Sequence, residues 1–151
     1  MTRVTRLLII VLLALSPAEV AFSAPADEAS AVIDRWAAAF SANDADAVVA
    51  LYAPDAILLG TVSPILSEGT EAIRAYFARL PGSGNKVVIG ERRMVVLDDD
   101  AVLVTGFYEF TRLQDGTPVP TPARFTMVVV KRGGGWVIMH HHSSIRPKPP
   151  Q

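Results

Sequence analysis

Three consecutive histidines, His140, His141 and His142, are the only imidazoles of the chain, and they lie in the run Trp136-Val137-Ile138-Met139-His140-His141-His142-Ser143-Ser144. Such a run reads as a strand, whose successive side chains point to opposite faces. His141 is thereby separated from its neighbours and becomes the candidate general acid or base, because imidazole titrates near neutral pH. His140 and His142 project together and could share a metal ion. No third ligand falls on their face, so no metal is expected.

The partners of His141 follow from the turns. If Gly133-Gly134 is a two-residue hairpin turn, Arg132 pairs with Gly135, Thr126 falls opposite His141 and Arg124 opposite Ser143. Treating Asp115-Gly116 in the same way pairs Phe107 with Arg124 and Thr105 with Thr126, and sets Glu109 diagonally beside Arg124. One sheet face then carries Glu109, Arg124, Thr126, His141 and Ser143 at one end and Leu103, Val128, Val130, Val137 and Met139 at the other. That gradient suits a pocket for a mostly apolar molecule with one polar end, with Arg124 at its energetic centre. The same residues would also serve as a buried Arg124–Glu109 ion pair that only joins two strands. A one-residue bulge would invert the assignment, and Pro118, Pro120 and Pro122 remove donors from the second register. The opposite face, with Phe125, Met127, Val129, Trp136, Ile138 and His140, would be a large apolar patch if uncovered. It reads as a surface for a second copy of the chain.

The elements that must position these residues are legible from periodicity. Asp27 caps a first helix whose apolar stripe is Ala29, Ile33, Trp36, Ala37 and Phe40, ending near Ala42. Asn43-Asp44 breaks and re-caps, and Val48, Leu51 and Tyr52 form a short second helix that stops before Pro54. Ala56 to Leu59 is a short strand. Gly69-Thr70 opens a third helix with Ile73, Tyr76, Phe77 and Leu80 on one side. Four β-rich runs follow, Lys86 to Leu97, Ala101 to Leu113, Ala123 to Arg132 and Trp136 to Ile145. Helices first and a meander after describe an α+β domain with helices on one sheet face. Trp36, Tyr52, Tyr76 and Phe77 are core aromatics in the plainest reading; facing a pocket, Trp36, Tyr52 and Tyr76 would line it.

Composition bounds the function. Arg3 and Arg6 precede the nine-residue apolar run Leu7 to Leu15 and the small residues beyond it, the pattern of a secretory signal. Nine apolar residues fall well short of the ~20 that cross a bilayer. The expected layout is a signal peptide over residues 1–26, or 1–23 with the earlier cut, one domain over 27–146 and an unstructured tail over 147–151. The mature chain would be periplasmic or secreted, with no membrane attachment after cleavage. The 14 basic and 15 acidic residues of the full sequence give a net charge of −1, which becomes −2 once Arg3, Arg6 and Glu19 are removed, and no nucleic acid is implied. With no cysteine, thiol chemistry and disulfide staples are excluded. There is no phosphate loop, dinucleotide fingerprint or nucleophile elbow, and no cofactor is expected.

Tyr52-Ala53-Pro54-Asp55-Ala56, Glu68-Gly69-Thr70-Glu71-Ala72-Ile73-Arg74, Arg124-Phe125-Thr126-Met127-Val128 and Trp136 to Ser144 together resemble the nuclear transport factor two-like superfamily. Within it, the last two stretches are most similar to the SgcJ/EcaC group of SnoaL-like proteins, related to the association domain of calmodulin-dependent kinase II. The resemblance implies a cone-shaped, cystatin-like fold with a cavity between three helices and a curved, mostly antiparallel sheet, and usually dimers through that sheet. It implies no single chemistry. Ketosteroid isomerase places its tyrosine, its base and its acid at segments that match Trp36, Gly60 and about Thr126, none of which can do that work. The kinase domain's cavity arginines match Glu109 and Ser143.

Three functions are therefore expected in turn. The first is an exported, dimeric domain binding a small molecule through Arg124, Glu109, Thr126, Ser143, Trp36, Tyr52 and Tyr76. The second is an isomerase, cyclase or oxidoreductase-like enzyme acting on a carbonyl or aromatic substrate, with His141 as acid or base oriented by Glu109. The third is a non-catalytic assembly domain whose cavity is filled by its own aromatics.

Overall fold

A computed structural model describes residues 24–148. The candidate signal, through Ser23, and the last three residues of the tail lie outside the described residues; Pro147 and Lys148 have no regular structure. No helix among the described residues is long and apolar enough to cross a membrane.

The chain runs α1 (Pro25–Ala42), α2 (Ala45–Val49), β1 (Tyr52–Leu59), β2 (Leu66–Glu68), α3 (Gly69–Phe77), β3 (Lys86–Asp98), β4 (Ala101–Gln114), β5 (Thr117–Arg132) and β6 (Gly135–Ile145). The strands form one six-stranded sheet in the order β2-β1-β6-β5-β4-β3. It is antiparallel except where β1 runs parallel to β6. Helices against one face of a mostly antiparallel sheet is the α+β class expected from the sequence.

Helix α1 starts two residues earlier than Asp27: Ala24 is its N-cap and Pro25 occupies the first turn, where a missing N–H costs nothing. Asp27 and Glu28 instead place negative charge in that turn. The buried stripe is Ala29, Val32, Ile33 and Trp36. At its end Asn43 takes the left-handed conformation, φ 60°, and its side chain donates to Phe40 O and Asn85 O and accepts from Gly84 N. Ser41 Oγ donates to Val87 O and accepts from Val87 N. Farther up, Arg92 on β3 grips Asp34 at 2.6 Å and Ser30 at 2.8 Å. These bonds fix α1 across β3, and so fix where Trp36 stands.

The second helix is shorter than expected. It closes at Val49, and Tyr52 belongs to β1, whose start at Tyr52 pairs with Ile138 of β6. Pairing with a distant strand outweighs the local helical spacing of Val48, Leu51 and Tyr52. The brief β2 had no counterpart in the expected elements.

At the second hairpin the expected register is found, with Phe107 opposite Arg124 and Thr105 opposite Thr126. The three prolines are tolerated because β6 ends at Ile145 opposite Ala123, leaving that edge of β5 largely free where their missing N–H groups lie. At the first hairpin the expected register holds only near the turn. Val130 pairs with Val137 and Val129 with Ile138, but Val128 then pairs with His140, so Met139 is an extra residue on β6. The bulge shifts the β5 partner of each later β6 residue by one, so that His141 and Ser143 no longer share a face with Thr126 and Arg124. Phe125, Met127 and Val129 are buried in the core, at 2%, 0% and 0% exposure, and do not form the partner surface expected of them. Arg124, Thr126 and His142 face away from the helices.

Candidate functional site

Past the bulge, His141 pairs with Met127 and Ser143 with Phe125, so both turn inward beneath the helices. They meet Trp36 from α1, Tyr52 and Leu58 from β1, Tyr76 and Phe77 from α3, and Tyr108 and Phe110 from β4. All of these but Tyr52 line a cavity of about 230 Å³, partly open to solvent, whose wall is completed by the loop around Gly60, Thr61 and Val62 and by Arg79, Leu80 and Asn85. Its walls are mainly apolar. Tyr52 stands behind the wall, against His141.

The polar groups form one connected chain. Trp36 Nε1 donates to Tyr52 Oη at 3.0 Å. Tyr52 Oη bonds His141 Nδ1 at 2.7 Å, and His141 Nε2 lies 3.3 Å from Tyr108 Oη. Tyr108 Oη donates to Ser143 Oγ, which contacts Thr61 Oγ1. The indole packs edge-on against the imidazole with centroids 5.3 Å apart. No buried side-chain nitrogen or oxygen among the described residues lacks a partner, as a low-dielectric core requires.

Burial dominates the acid–base character of the cluster. It pushes His141 down to about 3, with the nearby His140 and His142 adding a smaller push in the same sense. His141 is thus neutral at physiological pH and weakly basic. Burial raises Tyr52 well above the ordinary phenol range, against the hydrogen bond from Trp36, and raises Tyr108 against its bond to Ser143. Tyr76, less deeply placed, is raised for the same reason, opposed first by the charge of Arg112. The three phenols remain hydrogen-bonding hydroxyls.

Of the residues expected to build the site, the fold brings His141, Ser143, Trp36, Tyr52 and Tyr76 together. Arg124, Glu109 and Thr126 are not among them. They share a face as expected, but it is the face remote from the helices, where Glu109 is exposed and Arg124 Nε donates to Ser144 Oγ at 3.1 Å. The reason is that the uniformly apolar face of β5, Ala123, Phe125, Met127 and Val129, packs in the core, while the Met139 bulge brings His141 inward with that face and not with Arg124. Neither an Arg124–Glu109 bond at the cavity nor orientation of His141 by Glu109 survives, and the group that orients the imidazole is Tyr52. His140 and His142 do project together on the outer face, and among the described residues no set of three His, Asp, Glu or Cys side chains gathers in a metal-binding geometry.

Tyr108, Thr61, Phe110 and Arg112 were not anticipated. Tyr108 and Phe110 had a signal in the alternation Val102, Val104, Tyr108, Phe110 on β4; Thr61 had none, lying in a loop after β1. The Gly60 position is instructive. A Cβ there would lie 2.2 Å from Tyr76 Cε2, so the tyrosine ring occupies the space that a side chain at residue 60 would need.

Comparison with known proteins gives a consistent result. Residues 29–147 match the SnoaL-like domain. A Xanthomonas campestris protein assigned as a calcium/calmodulin dependent protein kinase II association domain is 38% identical, with a TM-score of 0.76 over 85% of this chain and 95% of that one. The Chlamydomonas reinhardtii CamKII hub homology domain, 22% identical, superposes with a TM-score of 0.68 over 81% of this chain and 98% of its own. An NTF2-like protein with a cystatin-like fold from Novosphingobium aromaticivorans, 18% identical, gives 0.68 over 80% of each chain. The last two likenesses concern the fold alone, which is the NTF2-like, cystatin-like one.

Proposed function

The chain belongs to the SnoaL-like family, and we propose that it is an exported domain that binds a small, mostly apolar molecule in the cavity between helices and sheet. The observation that carries the reading is the cavity itself: about 230 Å³ walled mainly by Trp36, Phe40, Leu58, Phe77 and Phe110, with Tyr108, His141, Ser143 and Thr61 joined in one hydrogen-bonded row on its wall. An assembly domain with a core filled by its own aromatics would not need that space. A general-base role for His141 fits poorly, because a group held at about 3, with both ring nitrogens facing tyrosine hydroxyls, is a weak proton acceptor at neutral pH.

Export rests on Arg3, Arg6 and the Leu7 to Leu15 run. Cleavage after Ser23 suits the fold better than the later cut, since it leaves the first turn of α1, beginning at Pro25, intact. The protein pairs with a second copy through the outer sheet face. There Leu103, Val128, Val130 and Val137 are only half covered, and Val95 and Phe107 are 52% and 37% exposed. Val128→Glu should convert the dimer to monomer in light scattering; a species of unchanged mass would rule this interface out.

Binding is tested by titrating the mature, isotope-labelled protein with acetophenone and following resonances by NMR. Shifts confined to Trp36, Tyr76, Tyr108 and His141 are expected. Saturable shifts elsewhere, or none at millimolar probe, would reject the cavity as a binding site.

A further inference from the structure

The side chains of the buried chain differ in what they can offer. An indole N–H donates and never accepts, a neutral imidazole does one at each nitrogen, and a hydroxyl has one proton and can accept as well. We propose that Trp36 sets the proton order of the whole chain from its blind end, so that His141 carries its hydrogen on Nε2 and the row ends at the cavity in a hydrogen-bond donor, selecting ligands that present an acceptor oxygen.

The assignment follows link by link. Trp36 Nε1–H takes one lone pair of Tyr52 Oη at 3.0 Å. The Tyr52 proton then has one acceptor within reach among the described residues, His141 Nδ1 at 2.7 Å. The opposite tautomer would press a second donor onto Tyr52 Oη and leave the phenol proton buried without a partner, the more costly arrangement. Nδ1 is thus the acceptor and Nε2 carries the hydrogen, which is directed at Tyr108 Oη at 3.3 Å. Tyr108 spends its own proton on Ser143 Oγ, and Ser143 passes its proton to Thr61 Oγ1. The Thr61 hydroxyl, half-buried on the cavity wall, has the Tyr76 hydroxyl within hydrogen-bond reach, so the hydrogen left for whatever lies in the cavity is that of Thr61 or, one link on, that of Tyr76. Arg79 and Arg112, the cationic residues of the lining, are also donors only. A carbonyl or carboxylate oxygen satisfies such a wall, whereas a donor group meets repulsion. Trp36 is here a positioning residue, acting through Tyr52 and His141.

This inference rests on the ligand-binding reading for its consequence but not for its test. Nitrogen-15 chemical shifts of the labelled mature protein report which imidazole nitrogen of His141 carries the hydrogen, with no ligand present. A protonated Nε2 and bare Nδ1 are expected in the parent. A mixture of tautomers is expected in Trp36→Phe, and also in Tyr52→Phe, which cuts the row one link later should the first variant fail to fold. A hydrogen on Nδ1 in the parent, or a pure Nε2–H form persisting in the folded variants, overturns the proposal. Acetophenone should then bind two- to tenfold more tightly than isopropylbenzene, its near-isostere without the oxygen, the range of one hydrogen bond. Benzoate binding more tightly than acetophenone would identify a carboxylate, and weaker binding a carbonyl. Equal affinity of acetophenone and isopropylbenzene would overturn the selectivity. Failure of every probe to bind, with the tautomer as assigned, would reject the binding site and leave the proton order standing.

Discussion

The buried chain makes a quantitative demand on stability that two substitutions can measure. Replacing His141 by Leu keeps an apolar group of similar bulk but takes the acceptor from the Tyr52 hydroxyl, while Tyr108 retains Ser143. One buried donor is then orphaned, at a cost of about 1–3 kcal/mol. Tyr52→Phe orphans two groups, the Trp36 N–H and His141 Nδ1, and should cost about 2–5 kcal/mol. In the double variant only the Trp36 N–H is left without a partner, because the two groups that faced each other are gone together. Its destabilisation should therefore fall short of the sum of the single effects by about 2–4 kcal/mol, and should approach or undercut that of Tyr52→Phe alone. Urea unfolding at neutral pH, followed by tryptophan fluorescence and by circular dichroism, gives the four free energies, with constant slope showing that the unfolded states are comparable. Single effects that add to within about 0.5 kcal/mol would mean that the two side chains are energetically independent, and the connected chain would then be refuted as a source of stability.

Other perturbations follow from the same geometry. His141 is held at about 3 in the fold against an ordinary 6.5, so its contribution is complete above pH 6.5 and is lost as the pH falls toward 3, by up to roughly 4–5 kcal/mol. His141→Gln should flatten the unfolding free energy over that interval, and an unchanged acid slope would contradict the assignment. Gly60→Ala must push the Tyr76 ring out of its place, which should cost about 1–3 kcal/mol and shift the Tyr76 resonances, whereas a silent substitution would show the ring free to move. Gly106→Ala would set a Cβ 2.5 Å from Glu91 O, against backbone at the irregular crossing of β3 and β4, and should lower the melting temperature by several degrees. Arg124→Met, on the outer face, should leave probe binding in the cavity unchanged, and a tenfold loss would put Arg124 back at the site.

Much of the architecture was legible because it is written in local periodicity. The first-helix stripe through Trp36 and the placing of Tyr76 and Phe77 on the third helix all depend on spacing within one segment, and the turns at Asp115-Gly116 and Gly133-Gly134 are marked by their own residues. Tyr52 was misplaced because its neighbours Val48 and Leu51 complete a helical spacing, while its strand partner Ile138 lies 86 residues away in sequence. The third-helix boundary shows the same division: Gly69 marks its start, but the short β2 before it is held only by pairing with β1. What is fixed by a distant partner leaves little trace in the residues that obey it.

The inverted face is the sharper case, because half of it was readable. On β5, Ala123, Phe125, Met127 and Val129 are apolar without exception, whereas Arg124 and Thr126 alternate with them. By periodicity alone the uniform face belongs in the core and the mixed face outside. Applied to β5 first, that rule puts Arg124 outside whatever the hairpin does. Carried across an unbroken register, however, it would also have brought His140 and His142 inward and turned His141 out. The bulge at Met139 resolves the conflict by changing the phase of β6 between Ile138 and His140, so that Ile138, His141 and Ser143 are all inside. Nothing at Met139 announces it, since there is no glycine or proline to mark the break. The constraint comes from β1, which pairs with β6 on the other side through Tyr52 with Ile138 and Ile57 with His140, and is itself irregular between those two points. Ile138 N bonds Leu51 O at 2.8 Å, which ties the bulge to the chain entering β1. The phase of the strand that carries the histidines is thus set by the neighbour that also supplies Tyr52, and the residue that orients His141 arrives with the irregularity that turns His141 inward.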